Sequence, residues 1–134
     1  MPNVLYIIRG LPGSGKSTIA RNMISTAAQH EDIAMFEADM YFEDEDGNYK
    51  FEPSKIKDAH EWCQRKVREY LEYNFNVIVS NTFTQVWEFQ PYLDMAKEMG
   101  VEVRVITATG DYPNVHNVPH ESILRMKDRW EKWE

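Results

Sequence analysis

The chain has 134 residues, a formal net charge of -7 and 43% apolar residues, which excludes a disordered chain and fits one domain with its own core. The single cysteine, Cys63, excludes an internal disulfide and a cysteine-rich zinc site. No apolar run is long enough to cross a membrane, and the first residues lack the basic start of a secretory signal. We therefore expect a cytoplasmic protein without a membrane partner.

The acidity is concentrated in one part of the sequence. Residues 31–61 hold eleven acids and three lysines, whereas residues 1–30 hold three basic residues and no acid. Outside residues 31–61 the chain is close to neutral. The negative charge therefore weakens long-range attraction of a nucleic acid but does not exclude a nucleic-acid substrate.

The first half of the chain alternates apolar strand patterns with a helical pattern. Val4–Arg9 is a short apolar run followed at once by glycine, as in a buried parallel strand. Apolar residues at helical spacing predict a helix from residue 16 to about residue 29, and residues 33–37 predict a second strand. The polar stretch 43–50 contains an Asp-Gly-Asn sequence and predicts a turn or flap.

The second half continues the alternation. Proline opens a long helix at Pro53, a third buried strand follows at 77–80, and a helix over Val86–Met99 contains Pro91 and stops at Gly100. A fourth strand at 101–107, a loop at 108–118 and a last helix from about 119 to 134 complete the chain. This order predicts a single α/β domain over 1–134, with a parallel sheet of about four to five strands and helices on both faces.

Residues 10–18 read GLPGSGKST and match the phosphate-binding loop pattern in full, with a strand before and a helix after. The glycines let backbone N–H groups turn inward towards phosphate oxygens. Lys16 is expected to reach the β- and γ-phosphates, and the Ser17 hydroxyl to ligate Mg²⁺. The sequence therefore predicts a three-layer P-loop kinase or NTPase fold that takes ATP, or another nucleoside triphosphate, with Mg²⁺. The predicted nucleotide-binding residues are Leu11, Pro12, Gly13, Ser14, Gly15, Lys16, Ser17 and Thr18.

Acidic and polar residues follow the next two strands, at the edge where ligands bind in parallel sheets. Asp39 is predicted to be a general base that accepts the proton of an attacking hydroxyl, with Glu37 as second candidate, although Glu37 falls inside the predicted strand. No carboxylate follows the third strand. Asn81 and Thr82 there are predicted to hydrogen-bond the substrate or the waters of the metal, or else to form a simple strand-end turn.

The phosphate-binding loop, the FEADMYF segment and VIVSNT together resemble the kinase domain of phage polynucleotide kinases and their smaller relatives. Three longer segments carry the resemblance further, namely YKFEPSKIKDAHEWCQRKV, NTFTQVWEFQPYLDMAKEMG and NVHNVPHESILRMKDRWE. The resemblance implies transfer of the γ-phosphate of ATP to a hydroxyl, typically on a nucleic acid. Some phage relatives phosphorylate a hydroxymethyl group on a modified base of DNA. Lys16, Ser17 and Asp39 match the positions for phosphate, metal and general base.

Two departures from the family pattern bear on the substrate and the mechanism. The arginine that holds a substrate phosphate in 5′-end kinases, three residues after the base, is replaced by Phe42. The loop 109–118 carries none of the family's lid arginines. Either Arg125 on the last helix acts instead, with Arg129 four residues further along the predicted helix, or Lys16 and Mg²⁺ neutralise more of the charge. His116 in the loop is a hydrogen-bond donor, a cation or an ordinary loop residue.

The aromatic side chains near the predicted base allow two interpretations. Phe42 stacks on a substrate base, under a lid formed with Tyr41, Tyr49 and Phe51, or Phe42 is part of the core. The first interpretation favours DNA with a hydroxymethylated base, such as 5-hydroxymethyluracil, as the substrate. The alternatives are a 5′-hydroxyl polynucleotide kinase, a small-molecule kinase and a nucleotide-binding module without catalytic activity. The oligomeric state stays open.

Overall fold

The protein, described here by a computed structural model over residues 3–27, 32–110 and 118–133, contains one parallel four-stranded sheet. The spatial order of the strands is β2-β3-β1-β4, and all three pairings are parallel. The predicted α/β class with a parallel sheet is thereby confirmed. The strands are β1 Val4–Arg9, β2 Ile33–Phe36, β3 Asn76–Asn81 and β4 Glu102–Thr107.

The described residues also form four α-helices and two 3-10 helices. The first 3-10 helix, Ala38–Phe42, follows β2, and the second, Pro53–Lys55, leads into the second α-helix. Proline lies at the start of that second 3-10 helix, where its missing N–H has no partner to lose. The α-helices are α1 Lys16–Thr26, α2 Ile56–Glu72, α3 Val86–Met99 and α4 His120–Asp128.

Alternate residues of the central strands point to opposite faces of the sheet, and each face is covered by helix. Leu5 and Ile7 of β1 lie in the larger core with buried residues of α2 and α3. Ile8 of β1 packs on the other face with Ala20 of α1 and with Ile78 of β3. Period-two alternation on strands buried from both sides produces this three-layer arrangement.

The boundaries of several predicted elements differ from those observed. Helix α1 ends at Thr26, because Ala27 is already extended, and residues 28 and 29 lie outside the described residues. Strand β2 ends at Phe36, one residue before Glu37. Helix α4 ends at Asp128. The sequence predicted a helix to about residue 134, but residues 129–133 are not helical. The limits of α3 are those predicted, and Gly100 ends it in the left-handed conformation with φ 68°.

Contacts with the core explain why the chain leaves the helical path after Asp128. The Glu131 N–H donates to Thr84 O at 2.7 Å, and the Glu131 carboxylate accepts the N–H of Val86 at 2.7 Å. The Trp133 ring lies 5.6 Å from that of Phe89. We call residues 129–133 the C-terminal segment. It satisfies a free N–H at the start of α3, which a continued helix could not reach.

Arg9, the last residue of β1, is fully buried beneath the C-terminal segment. Its guanidinium donates to the carbonyl oxygens of Phe83, Thr84 and Glu131 at 2.6–3.1 Å. The Trp130 ring covers it, with 4.1 Å from Arg9 Cζ to the ring centroid. A buried charge needs such partners, and Arg9 thereby joins β1, the β3–α3 loop and the C-terminal segment.

The search for membrane spans covered only the residues that the structure describes. Among them no helix combines the length and the apolar character that crossing a membrane requires.

Candidate active site

The phosphate-binding loop leaves β1 and enters α1 through two glycines in left-handed backbone conformations. Gly13 has φ 79° and Gly15, which directly precedes α1, has φ 96°. The Ser14 N–H donates to Leu11 O at 3.0 Å, and the Gly110 N–H donates to Ser14 O at 2.8 Å. Backbone of this shape at a helix N-terminus is a general anion-binding arrangement.

The start of the loop is so closely packed that only glycine fits there. A Cβ placed on Gly10 would lie 2.3 Å from Ser14 Oγ and 3.0 Å from Ala108 Cβ. The Gly10 N–H donates to Thr82 O at 3.2 Å, which ties the loop to the end of β3. The buried Ser14 hydroxyl has no hydrogen-bond partner in the described part of the chain. This cradle, with an unpaired hydroxyl, fits a phosphate group.

Lys16 is folded back over the loop. Its Nζ donates to Gly10 O and to Leu11 O, both at 3.0 Å. Partial burial lowers the pKa of Lys16, while the carboxylates of Glu37 and Asp39 oppose that shift. These acids therefore lie near enough to act electrostatically on the lysine.

Glu37 lies closer to the loop than the sequence indicated. It is the extended residue before the 3-10 helix 38–42 and not part of β2. The Ser17 hydroxyl donates to Glu37 Oε1 at 3.5 Å. Sequence reasoning ranked Glu37 second because it assigned the residue to a strand. The acidic Glu-x-Asp pattern directly after an apolar run was the available signal.

Asp39 lies in the first turn of the 3-10 helix 38–42, at the carboxyl end of β2. Its Oδ1 accepts a hydrogen bond from the Tyr49 hydroxyl at 3.3 Å. The Asp39 carboxylate and partial burial raise the pKa of Tyr49 to about 12, so this hydroxyl stays protonated at neutral pH.

Asn81 fixes the segment that carries both acids. Its Oδ1 accepts the Ala38 N–H at 2.9 Å, and its Nδ2 lies 4.0 Å from the Sγ of Cys63, a thiol whose pKa is raised by burial. The neighbouring Thr82 offers its carbonyl to Gly10. Asn81 thus anchors one strand end to the next, and a substrate contact by Asn81 or Thr82 stays a prediction.

Phe42 belongs to the core, which corrects the expectation that it stacks on a substrate base. Its side chain is 8% exposed. The ring centroid lies 5.1 Å from that of Phe51, 5.5 Å from that of Tyr41 and 6.2 Å from that of Tyr49. A nucleobase could reach Phe42 only by displacing these rings.

Arg125 and Arg129, the arginines predicted to replace those of the lid, have different hydrogen-bond partners. Arg125 is exposed on α4, and its Nη2 donates to Ser122 Oγ at 3.1 Å. Arg129 lies beyond the helix and donates through Nε to Thr84 Oγ1 at 3.0 Å, so the two arginines do not form the predicted helical pair. His116 lies outside the described residues.

No cluster of three or more His, Cys, Asp or Glu side chains in metal-binding arrangement occurs within residues 3–27, 32–110 and 118–133. Mg²⁺ is usually held by few protein oxygen ligands together with phosphate oxygens and water. Ser17 and the nearby Glu37 carboxylate are the oxygen donors at the loop.

Residues 5–116 match the protein family described as AAA domain. The chain belongs to this family. Among curated relatives of this AAA-domain chain, human NEDD4-binding protein 2 is 30% identical over 97% of the chain, although the chain spans only 8% of that protein. An uncharacterised protein of Pasteurella multocida is 25% identical over 91% of the chain and 73% of the relative.

Several solved structures share the fold of this chain although their sequences are only 12–22% identical to it. Chaetomium thermophilum Kti12 in complex with ADP-AlF3 has a TM-score of 0.74 at 16% identity, covering 96% of the chain and 80% of Kti12. A chain of the Pnkp1/Rnl/Hen1 RNA repair complex has a TM-score of 0.66 at 22% identity, covering 96% of the chain and 37% of that protein. The APS kinase CysC of Mycobacterium tuberculosis has a TM-score of 0.62 at 12% identity, with 96% of both chains covered.

These matches confirm the predicted α/β P-loop fold and the resemblance to polynucleotide kinase-like P-loop proteins. The AAA-domain chain is a P-loop domain of kinase-like fold. The chain spans less than a tenth of the human relative and little more than a third of the matched chain of the RNA repair complex.

Proposed function

We propose that the protein is an ATP-dependent kinase that transfers the γ-phosphate to a hydroxyl of a nucleic acid. The observation that carries this proposal is the position of Asp39. It lies at the carboxyl end of β2, beside the phosphate-binding loop, and its charge acts on Lys16. A carboxylate so placed suits the proton acceptor of phosphoryl transfer.

Each residue of the loop has a role in this mechanism. Backbone N–H groups of the loop hold the phosphates, except at Pro12, which has none, and at Ser14, whose N–H donates to Leu11 O. Lys16 offsets the negative charge that develops on the transferred group. The acceptor oxygen forms a bond to the γ-phosphorus, the bond from that phosphorus to the β–γ bridging oxygen breaks, and ADP leaves. Asp39 takes the proton of the acceptor hydroxyl. Mg²⁺, held through Ser17, supplies further charge neutralisation when bound. Kti12 with ADP-AlF3 and the APS kinase with AMPPNP and APS support nucleotide binding by this fold.

The finer proposal is that the acceptor is the hydroxymethyl group of a modified base in DNA. The position three residues after Asp39 holds buried Phe42 and supplies no cation for a strand-end phosphate. The support is therefore the missing cation, since stacking by Phe42 is no longer available. The similarity in fold to a member of an RNA repair complex supports a nucleic acid as the wider substrate class.

A small-molecule acceptor is the second candidate, because two of the three neighbouring basic residues on α2, Arg65, Lys66 and Arg68, are ion-paired. Arg68 contacts Glu98 at 3.2 Å and Lys66 lies 3.7 Å from Glu69, which leaves less positive charge for a phosphate backbone. The acids of the flap 43–50 add negative charge near the base. The APS kinase acts as a precedent for the fold with such an acceptor.

The central test compares Asp39→Asn with Asp32→Asn, which changes an exposed acid at the opposite end of β2. Transfer from γ-labelled ATP should fall roughly 10²–10⁴-fold in Asp39→Asn, the usual contribution of a general base. ATP affinity, measured by calorimetry, should stay within a few-fold of the wild type. Equal turnover of the two variants would refute the role of Asp39, and binding without turnover on any acceptor would favour the non-catalytic alternative.

The acceptor is identified by presenting three substrates at low and high salt. These are a 5′-hydroxyl oligonucleotide, DNA with internal 5-hydroxymethyluracil and blocked ends, and a nucleoside. We expect labelling of the modified DNA that falls steeply as salt rises, as phosphate contacts require. Labelling of strand ends alone would overturn the modified-base proposal, and salt-insensitive labelling of the nucleoside would favour the small-molecule candidate.

A further inference from the structure

The flap, residues 43–50, is a well-defined hairpin loop in which the acidic side chains have structural roles. Asp44 Oδ1 accepts the N–H groups of Asp46 at 2.9 Å and of Asn48 at 2.8 Å. These hydrogen bonds lower the pKa of Asp44 and keep it charged. Gly47, with φ 82°, makes the reverse turn possible. The Asp44 carboxylate therefore holds the tip of the flap in one conformation.

Backbone pairing then fixes the position of Tyr49. Glu43 and Tyr49 form an antiparallel bridge, the Asp44 N–H donates to Asn48 O, and the Lys50 N–H donates to Phe42 O, both at 2.9 Å. The Tyr49 ring packs edge-on against buried Phe42, with 6.2 Å between centroids. Register and ring packing together direct the hydroxyl to Asp39 Oδ1, 3.3 Å away.

Tyr49 is suited to hold a carboxylate without competing for its proton. Burial and the nearby carboxylates of Asp39 and Glu43 raise the pKa of Tyr49 to about 12, so the hydroxyl remains a donor throughout the working range of a kinase. A hydrogen bond to one carboxylate oxygen restricts rotation of the Asp39 side chain, which is half-buried on the short 3-10 helix 38–42. A base orientated by a third group is a common feature of active sites.

We infer that Tyr49 is a positioning residue that orientates the Asp39 carboxylate for proton transfer, and that the flap sets this contact. The inference rests on the proposed function, in which Asp39 is the base. Tyr49 acts through Asp39 and has no direct step in the chemistry. The flap is then part of the acceptor side of the site, and its acids stabilise a loop whose purpose is to place one hydroxyl.

The test compares Tyr49→Phe, which removes only the hydroxyl, with Tyr73→Phe, the same change on an exposed ring beyond the far end of α2. We expect kcat to fall roughly three- to tenfold in Tyr49→Phe, the value of one hydrogen bond, with KM for ATP and the melting temperature unchanged. Tyr73→Phe should match the wild type. An unchanged kcat in Tyr49→Phe, or a loss accompanied by a lower melting temperature, would overturn the inference.

A second variant separates the contribution of the flap from that of the hydroxyl. Asp44→Ala removes the acceptor at the tip of the flap without touching Asp39, and it should give part of the same loss in kcat. The double variant Asp44→Ala/Tyr49→Phe should be no slower than Tyr49→Phe alone. Fully additive losses would refute the coupling of flap and hydroxyl. Asp39→Asn separates the role of Asp39 from that of Tyr49. If Asp39→Asn retains turnover, the proposed function fails. If it abolishes turnover and Tyr49→Phe leaves kcat unchanged, only the positioning role of Tyr49 fails.

Discussion

The two sides of the candidate site are constructed in different ways. The nucleotide side is nine consecutive residues whose glycines shape a backbone cradle, with Lys16 folded onto the cradle's own carbonyls. The acceptor side is assembled from Glu37 and Asp39, from the flap and from Asn81, which come together only when the sheet forms. A local motif determines the first side, whereas tertiary contacts determine the second. Mutations should therefore affect nucleotide binding and phosphoryl transfer separately.

On the nucleotide side, the largest effect is expected from Lys16→Met. This change removes the charge that faces the transferred phosphate, and transfer should fall roughly 10²–10³-fold, as for loss of one preorganised electrostatic donor. Steady-state assays with γ-labelled ATP measure the loss. Lys97→Met, on the exposed last turn of α3, provides the control. Activity near the wild-type level in Lys16→Met would show that the nucleotide side does not depend on this lysine.

Arg9 directly precedes the phosphate-binding loop and pairs in register with Asn81 of the acceptor side, so Arg9→Met should weaken both sides together. The change leaves the carbonyls of Phe83 and Glu131 without the guanidinium donor, whereas Thr84 O keeps the Glu131 N–H, and each unsatisfied buried group costs about 1–3 kcal/mol. We expect the free energy of unfolding in urea to fall by about 3 kcal/mol. Arg104 lies on the exposed side of the edge strand β4, and Arg104→Met should lower the free energy of unfolding far less. Equal losses would refute the buried role of Arg9.

The sequence predicted the nucleotide side in detail because its information is local. The glycines, Lys16 and Ser17 stand in one short pattern whose backbone consequences are known. The sequence did not predict that Arg9 would be buried, because its partners lie more than seventy positions away. The end of α4 was also placed six residues too late, since helical propensity does not register the competing contacts of Glu131 with Thr84 and Val86.

The acceptor side was predicted in its residues but not in their arrangement. The position of Asp39 after a strand followed from the order of elements, whereas its contact with Tyr49 depends on the register of the flap. Phe42 was read as a possible stacking surface because sequence alone does not show which face of an aromatic cluster is covered. For Asn81 the sequence left a substrate contact and a strand-end turn open. It did not predict that Asn81 Oδ1 accepts the Ala38 N–H or that Nδ2 lies near Cys63 Sγ.

Asn81→Ala tests whether the acceptor side can be loosened while the nucleotide side is retained. Losing the hydrogen bond to the Ala38 N–H leaves a partly buried donor unpaired, at a cost of about 1–3 kcal/mol. The 3-10 helix 38–42 should shift and transfer should fall, while ATP affinity stays near that of the wild type. Asn22→Ala, an exposed change within α1, is the control. A parallel loss of ATP affinity would indicate that the two sides are not separable.

The smallest effect concerns the charge environment of the acceptor side. His60 is an exposed residue on the first turns of α2, and desolvation by its neighbours lowers its pKa, although Glu88 and Asp39 both oppose that shift. As the pH falls, the unfolded chain therefore takes up the proton before the folded protein does. The stability that comes from neutral His60 is present above the unfolded pKa, about 6.5, and is lost as the pH falls towards the lower folded pKa. Between pH 7.5 and pH 5.5, the free energy of unfolding in urea should fall less for His60→Gln than for the wild type. His120→Gln, at the exposed start of α4, is the matched control. A larger loss in His60→Gln would mean that the carboxylates of Asp39 and Glu88 outweigh burial. The acceptor side would then hold a charged histidine next to the base at mildly acidic pH.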